Sequence, residues 1–143
     1  MQTKEYCQFW HHPQLDVGLL QAYHVDYAYP RHSHDHYVIC VVDWIEAHFA
    51  GPISLADLAN YVALSPYYLL RVFHEQVGLP PHAYLQDVRI RRAQRLIELG
   101  KPLAEVTFAV GFSSQSHLTR RFKQIVGTTP GQYANQVRPA NEA

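Results

Sequence analysis

The chain has 143 residues, 48% of them hydrophobic and 17% charged, which suits one domain with a real core plus a short extension. Twelve basic residues balance twelve acidic ones, so it lacks the overall positive charge usual in nucleic-acid binders. No apolar run approaches the roughly 18 residues of a membrane span, Met1-Gln2-Thr3-Lys4-Glu5-Tyr6 lacks the regions of a signal peptide, and two cysteines, Cys7 and Cys40, make no disulfide framework. A soluble cytoplasmic protein, with no membrane partner, is expected.

Residues 1–42 carry Lys4 and Arg31 against Glu5, Asp16, Asp26 and Asp35. They read as a hairpin or a loose segment. His32, His34 and His36 alternate, so on a strand they would share one face. Such a set can hold zinc or a similar ion, but the further ligands of a complete site are missing, and no metal or other cofactor is expected. Val38-Ile39-Cys40-Val41-Val42 is rich in β-branched residues and reads equally as a strand or as a helix extension. A strand with a bare edge there would be able to pair between chains. Asp43–Phe49 reads as a short helix that packs Ile45 and Phe49 inward, and Gly51-Pro52 breaks it.

Residues 54–78 read as helix, turn, helix. Ser54 caps the first helix, with Asp57 three residues on as a variant capping box. Leu55, Leu58, Ala59 and Val62 share one face at helical spacing, and Ala63-Leu64 makes the turn. Ser65 caps again, and Pro66 takes the first helical position, where its missing N–H costs nothing. Leu69, Val72, Phe73 and Val77 form the inner stripe, and Gly78 supplies a left-handed stop. In 81–99, Ala83, Tyr84, Val88, Ile90, Ala93, Leu96 and Ile97 recur at mostly helical intervals, with Arg89, Arg92 and Glu98 at more polar positions and Gly100 beyond. A helix of about 18 residues spans roughly 27 Å at 1.5 Å per residue. Successive major grooves on one face of DNA lie about 34 Å apart, a separation that such a rigid connector suits. Residues 102–127 repeat the earlier plan. Leu103, Val106 and Val110 form one stripe, Gly111-Phe112-Ser113 the turn, Leu118, Phe122 and Val126 the next stripe, and Gly127 the stop. Gly111 suits a tight turn better than Ala63 does. Pro130–Gln136 reads as a last short helix with Tyr133 inward, and 137–143 as a disordered tail.

The two helical pairs are copies. Leu55, Ala56, Val62 and Ser65 recur 48 positions later as Leu103, Ala104, Val110 and Ser113. Leu69, Arg71, Phe73, Val77, Gly78, Pro81 and Tyr84 recur 49 positions later as Leu118, Arg120, Phe122, Val126, Gly127, Pro130 and Tyr133, which puts one inserted residue just after the turn. Helical periodicity alone does not align Gly, Pro and Tyr, so one supersecondary unit is used twice.

In a helix-turn-helix the second helix enters the major groove with its N-terminal part nearest the bases. The outward residues are then the candidates for base or groove contact: Tyr67, Tyr68, Leu70 and Arg71 in the first unit, Gln115, Ser116, His117, Thr119 and Arg120 in the second. Arg pairs bidentately with guanine and Gln with adenine, and Ser or Thr bonds several edges. Candidate phosphate contacts are Ser54, His74, Arg121 and Lys123, together with backbone amides at the helix starts near Ser54 and Pro102. A solvated helix face is the bland reading of any single Arg. Against it, Arg71 and Arg120 occupy the same place in both copies, and Ser114–Val126 holds Arg120, Arg121 and Lys123 with no acid. Tyr67 and Tyr68 can equally pack on the connecting helix. Leu70 offers only apolar contact, for instance to a thymine methyl, so the first unit should read sequence less well than the second.

Leu55-Ala56-Asp57-Leu58-Ala59 and Leu64-Ser65-Pro66-Tyr67-Tyr68-Leu69-Leu70-Arg71-Val72-Phe73 resemble the first half of an AraC/XylS-family DNA-binding domain. Gly78–Tyr84 and Arg89-Ile90-Arg91-Arg92-Ala93 resemble its connector. Gly111–Lys123, followed by Gly127-Thr128-Thr129-Pro130-Gly131-Gln132-Tyr133, resembles its most diagnostic segment. The resemblance runs from Asp43 to Asn135. It implies an all-α domain of about seven helices, forming two helix-turn-helix subdomains joined by a long connecting helix. It also implies double-stranded promoter or operator DNA as the partner of a transcriptional regulator, with RNA polymerase a further candidate partner. Phe9-Trp10 and Tyr29–Tyr37 resemble the opening of the family's cupin-like sensor domain, yet forty residues cannot bury a barrel core. The chain looks like a regulator with most of its sensor missing, whether internally deleted or naturally short. Dimerisation normally lies in the missing part, so a monomer on an asymmetric site is expected, with a dimer left open. No nucleophile–base set, phosphate loop or paired acids point to an enzyme. The rival reading is a helical interaction module, or a dominant-negative truncated regulator, with weak DNA specificity; the balanced net charge and Leu70 favour it.

Overall fold

The structure, a computed structural model, describes residues 6–12, 17–23 and 34–137. His32 and the chain after Val137 lie outside the described residues, and so do the expectations made for them. The chain divides into two compact units, Met1–His32 and Ser33–Ala143. In the first, β1 (Tyr6–His12) pairs antiparallel with β2 (Val17–Tyr23), in a register that sets Tyr6 opposite Tyr23 and His12 opposite Val17.

Among the described residues the second unit is all-helical. Its elements are α1 (His34–His48), α2 (Leu55–Tyr61), α3 (Pro66–Val77), α4 (Pro81–Glu98), α5 (Leu103–Ala109), α6 (Gln115–Val126) and α7 (Pro130–Val137). The expected all-α architecture of two helix-turn-helix pairs about a connecting helix is therefore present. One helix starts earlier than expected: α1 begins at His34 rather than near Asp43 and takes in Val38–Val42. The reason is burial. Val38, Val41 and Ile45 fall at helical spacing and are at most 4% exposed, and packing of that stripe outweighs the strand preference of β-branched residues. His34 and His36 consequently belong to the start of α1 and not to a strand. The strand face expected for the alternating histidines does not form.

The ends of the helices obey local chemistry. The Asp57 amide donates to Ser54 Oγ at 3.1 Å while the Ser54 amide donates to Asp57 Oδ2 at 3.0 Å, a reciprocal capping box. Ser65 Oγ accepts from the Tyr68 amide at 3.2 Å, with Pro66 directly after the cap. Ser114 Oγ accepts from the His117 amide at 3.2 Å. Thr129 and Gln132 cap α7 reciprocally, amide to side chain in both directions. Gly78 and Gly127 end α3 and α6 in the left-handed region, at φ 80° and 91°. The cap at Ser114, not Ser113, corrects the alignment of the two copies. Ser65 corresponds to Ser114, so the inserted residue lies inside the turn and not after it.

Each copy builds its own core. Val38, Val41, Ile45, Leu58, Leu69, Phe73, Leu85 and Val88 form one; Ile90, Ala93, Ile97, Val106, Val110, Leu118 and Phe122 form the other. The two halves of α4 serve one core each. Fully buried side chains of this size contribute about 1.5–3 kcal/mol apiece, so both halves have apolar cores. Phe49 packs against both.

Candidate nucleic-acid interface

The two candidate reading helices, α3 and α6, are launched by the same bend. The Leu64 amide donates to the Ala59 carbonyl at 2.9 Å, and the Phe112 amide to the Thr107 carbonyl at 3.0 Å. The pivot residue is left-handed in both, Ala63 at φ 54° and Gly111 at φ 87°. Without a Cβ, Gly111 adopts this at no steric cost, whereas Ala63 is strained.

Burial then decides what faces out. In α3, Leu69, Val72 and Phe73 are buried, which leaves Tyr67, Leu70, Arg71 and His74 exposed. Tyr67 is 78% exposed and does not pack on the connecting helix. Tyr68 is half-buried against the first core, and the Arg71 guanidinium lies 5.3 Å from its ring centroid, within cation–π range. In α6, Leu118 and Phe122 are buried. Gln115, Ser116, Arg120 and Lys123 are exposed, while His117, Thr119 and Arg121 are half-buried. His117 meets the Phe112 ring edge-on at 5.1 Å. Arg121 donates to Gln124 at 3.1 Å. Ser54 differs from the other candidates. Its hydroxyl donates to Asp57 Oδ2 at 2.6 Å and its amide bonds the same oxygen, so a phosphate there would meet the Asp57 carboxylate.

The distribution of charge separates two kinds of cation. On α4, Arg91 and Arg92 pair with Glu46, Arg91 also with Asp87, and Arg95 with Glu98; Lys101 pairs with Glu105. Among the described residues, Arg71, Arg120, Arg121 and Lys123 pair with no acid. The α6 cations also set the electrostatics of the helix face. Desolvation lowers the His117 pKa from its ordinary value, and Arg120, Arg121, Arg89 and His82 lower it further. Between the two helix-turn-helix pairs lies an open groove of about 590 Å³, lined by residues that include Ser54, His82, Arg89, Phe108 and Ser113. Sequence reasoning missed His82 and Phe108 as groove-lining residues. His82 lies on the connector, outside both reading helices. Phe108 sits on the first helix of the second unit and is 67% exposed.

This is the two-headed architecture of a helix-turn-helix protein. The family model described as a helix-turn-helix domain matches residues 58–136, and the chain belongs to that family, in its AraC-type form. It is 39% identical over 89 residues to the uncharacterized HTH-type transcriptional regulator YbfI of Bacillus subtilis, a match covering 62% of this chain and 32% of that protein. Among solved structures, a probable AraC family transcriptional regulator from Rhodopseudomonas palustris superposes with a TM-score of 0.67 at 25% identity, covering 73% of this chain and all of that one. The DNA-binding domain of the global transcriptional factor AdpA, in complex with a target DNA, superposes at 0.67 with 28% identity, covering 72% of this chain and 96% of that one. The chain spans less than half the length of the curated relatives it matches first.

Proposed function

We propose that this chain is a cytoplasmic, sequence-specific transcriptional regulator that inserts α3 and α6 into successive major grooves of one DNA duplex. The observation that carries the reading is the set of cations on α6, Arg120, Arg121 and Lys123, none paired with an acid among the described residues, beside Gln115 and Ser116 on an exposed helix face. The 18 residues of α4 span roughly 27 Å, a length suited to heads that reach adjacent grooves. In this reading Gln115, Ser116, His117, Thr119 and Arg120 address base edges from α6, and Tyr67, Tyr68, Leu70 and Arg71 do so from α3. Arg121, Lys123 and His74 bind phosphates, and Ser54 joins them only by giving up part of its cap. The chain binds as a monomer on an asymmetric site, contacts RNA polymerase when it activates, and performs no catalysis. Its DNA-binding part takes in the whole of α1, whose Val38 and Val41 are buried in the first core, so the boundary expected at 42/43 falls inside that helix.

The test is selection of bound sequences from a random duplex library at two salt concentrations. Enrichment of two boxes about one helical turn apart, with affinity falling steeply in salt, is the expected outcome. Enrichment of a single box would restrict base reading to α6. The exposed Leu70 and Tyr67 favour a second reading, a helical interaction module with weak DNA specificity, and absence of any enriched motif at either salt would select it.

A further inference from the structure

Two bodies joined by one helix are expected to move relative to each other unless something else ties them. The tie here is Phe49–Gly51, the segment that opens the loop after α1. Arg89, near the middle of α4, donates from Nε to the Phe49 carbonyl at 2.7 Å and from Nη2 to the Gly51 carbonyl at 2.9 Å. The residue between them, Ala50, meets the other half. A Cβ placed on Gly111 would lie 2.7 Å from the Ala50 oxygen, closer than real Cβ atoms come, and a tight 3.0 Å from its carbonyl carbon. Phe49 packs its ring against both cores and lies 5.3 Å from the Arg92 guanidinium. The Arg89 guanidinium also lies 5.9 Å from the ring of Phe112, in the turn before α6. Among the described residues Arg89 has no acidic partner. Its half-buried charge is spent on backbone carbonyls, a fork whose geometry fixes both at once.

We infer that the Phe49–Gly51 loop is a clamp, held by Arg89 and fitted against Gly111, that fixes the distance and phase between the two reading helices. Phe49 extends the first half, and Gly111 opens the turn that launches α6. The contact of Ala50, next to Phe49, with Gly111 therefore sets where α6 begins relative to α3. Arg89 is a positioning residue: it acts through the loop and is assigned no DNA contact. The consequence for recognition rests on the two-groove reading above, whereas the clamp itself does not.

The experiment measures both. Spin labels at Glu75→Cys on α3 and Ile125→Cys on α6, in a background with Cys7→Ser and Cys40→Ser, report the distance distribution between the heads without DNA. Arg89→Ala should broaden that distribution roughly twofold, freeing the motion expected of weakly joined bodies. Arg89→Lys, which reaches one carbonyl, should fall between, and Gly111→Ala should shift the mean distance. If Arg89→Ala fails to fold by circular dichroism, the other two variants carry the test. On DNA bearing two selected boxes, about five extra base pairs, half a helical turn, should cost the wild type about tenfold in affinity. The same insertion should cost Arg89→Ala less than about threefold, with single-box affinity unchanged. Label distances that ignore every one of these variants overturn the clamp. Label distances that respond, with no two-box preference in the wild type, leave the clamp standing and remove the two-groove reading.

Discussion

The Tyr133 hydroxyl donates to the Glu98 carboxylate across 2.7 Å, and this bond is the second half's copy of the one from Tyr84 to Glu46 at 3.1 Å. Each tyrosine also meets the buried phenylalanine of its own reading helix edge-on, Tyr133 against Phe122 at 5.4 Å and Tyr84 against Phe73 at 5.8 Å. The repeated tyrosine thus ties a reading helix to the long helix that precedes its pair. Tyr133→Phe keeps the ring packing and removes the hydrogen bond, so thermal unfolding should show a loss of about 0.5–1 kcal/mol, the low end because the pair is partly solvated.

The same bond sets a direction with pH. Donation to Glu98 raises the Tyr133 pKa, and burial adds to the rise. A group whose folded pKa lies above its unfolded value contributes stability that is complete below the unfolded pKa, about 10 for tyrosine. That contribution fades as pH climbs through the folded value. The stability gap between wild type and Tyr133→Phe should therefore be constant from pH 7 to 9 and shrink above about pH 10, as followed by denaturant titration. A gap that widens in alkali would reverse the assignment.

Reverse substitutions at the two left-handed pivots should both favour glycine, by different amounts. Ala63 sits at φ 54°, where a methyl group is strained, so Ala63→Gly should raise stability by up to about 1 kcal/mol, reduced by the greater freedom of glycine in the unfolded chain. Gly111→Ala combines a left-handed φ with a Cβ driven against the Ala50 carbonyl, and should cost about 2 kcal/mol or more. Equal and small effects in a paired denaturation series would show that both turns relax freely.

What could be read from the chain was whatever is settled within a turn or two. Ser65-Pro66, Gly78 and Gly127 mark helix ends by chemistry internal to a few residues, and the buried stripes of α3 and α6 follow from spacing alone. Adjacent serines blurred the register of the two copies: Ser65 aligns with Ser113 at a spacing of 48 and with Ser114 at 49, and only the folded turn, which caps α6 with Ser114, selects the second. The start of α1 was obscured because Val38–Val42 suits a strand as well as a helix until the first core buries one side of it. The Arg89 clamp and the Glu46 hub lay beyond reach, because their partners stand 38 to 46 residues away along the chain. Arg89 reads as one more charged residue on a helix, and nothing local says that its donors meet carbonyls of the loop after α1.

The capping box before α2 makes an acid-side counterpart. Hydrogen bonds from Ser54, first from its side chain and then from its backbone, lower the Asp57 pKa. A depressed carboxylate contributes stability that is present above its unfolded pKa, about 3.9, and is lost as pH falls through the folded value. Asp57→Asn should therefore melt below the wild type at pH 7, and the two curves should converge as the pH drops below about 3.9. A difference that persists undiminished in acid would mean that the carboxylate charge plays no part in the cap.

Arg120 and Lys123 lie three residues apart on α6, both exposed and neither paired with an acid among the described residues, yet their expected roles on DNA differ. Arg120 lies nearer the N-terminal end of the helix, which approaches base edges, and its guanidinium matches the two acceptors of guanine. Lys123 lies in the last turn, where a compact charge meets phosphate. Arg120→Ala should then cost about 1–3 kcal/mol on the selected site and much less on unrelated duplex, flattening discrimination at one base pair. Lys123→Ala should weaken binding to both by a similar factor and reduce the slope of log affinity against log salt by about one. Measured side by side over a salt series, the two variants separate reading from anchoring. If Arg120→Ala weakens specific and unrelated DNA equally, its guanidinium is a phosphate anchor like Lys123, and base recognition by α6 must then rest on Gln115 and Ser116 at the helix start.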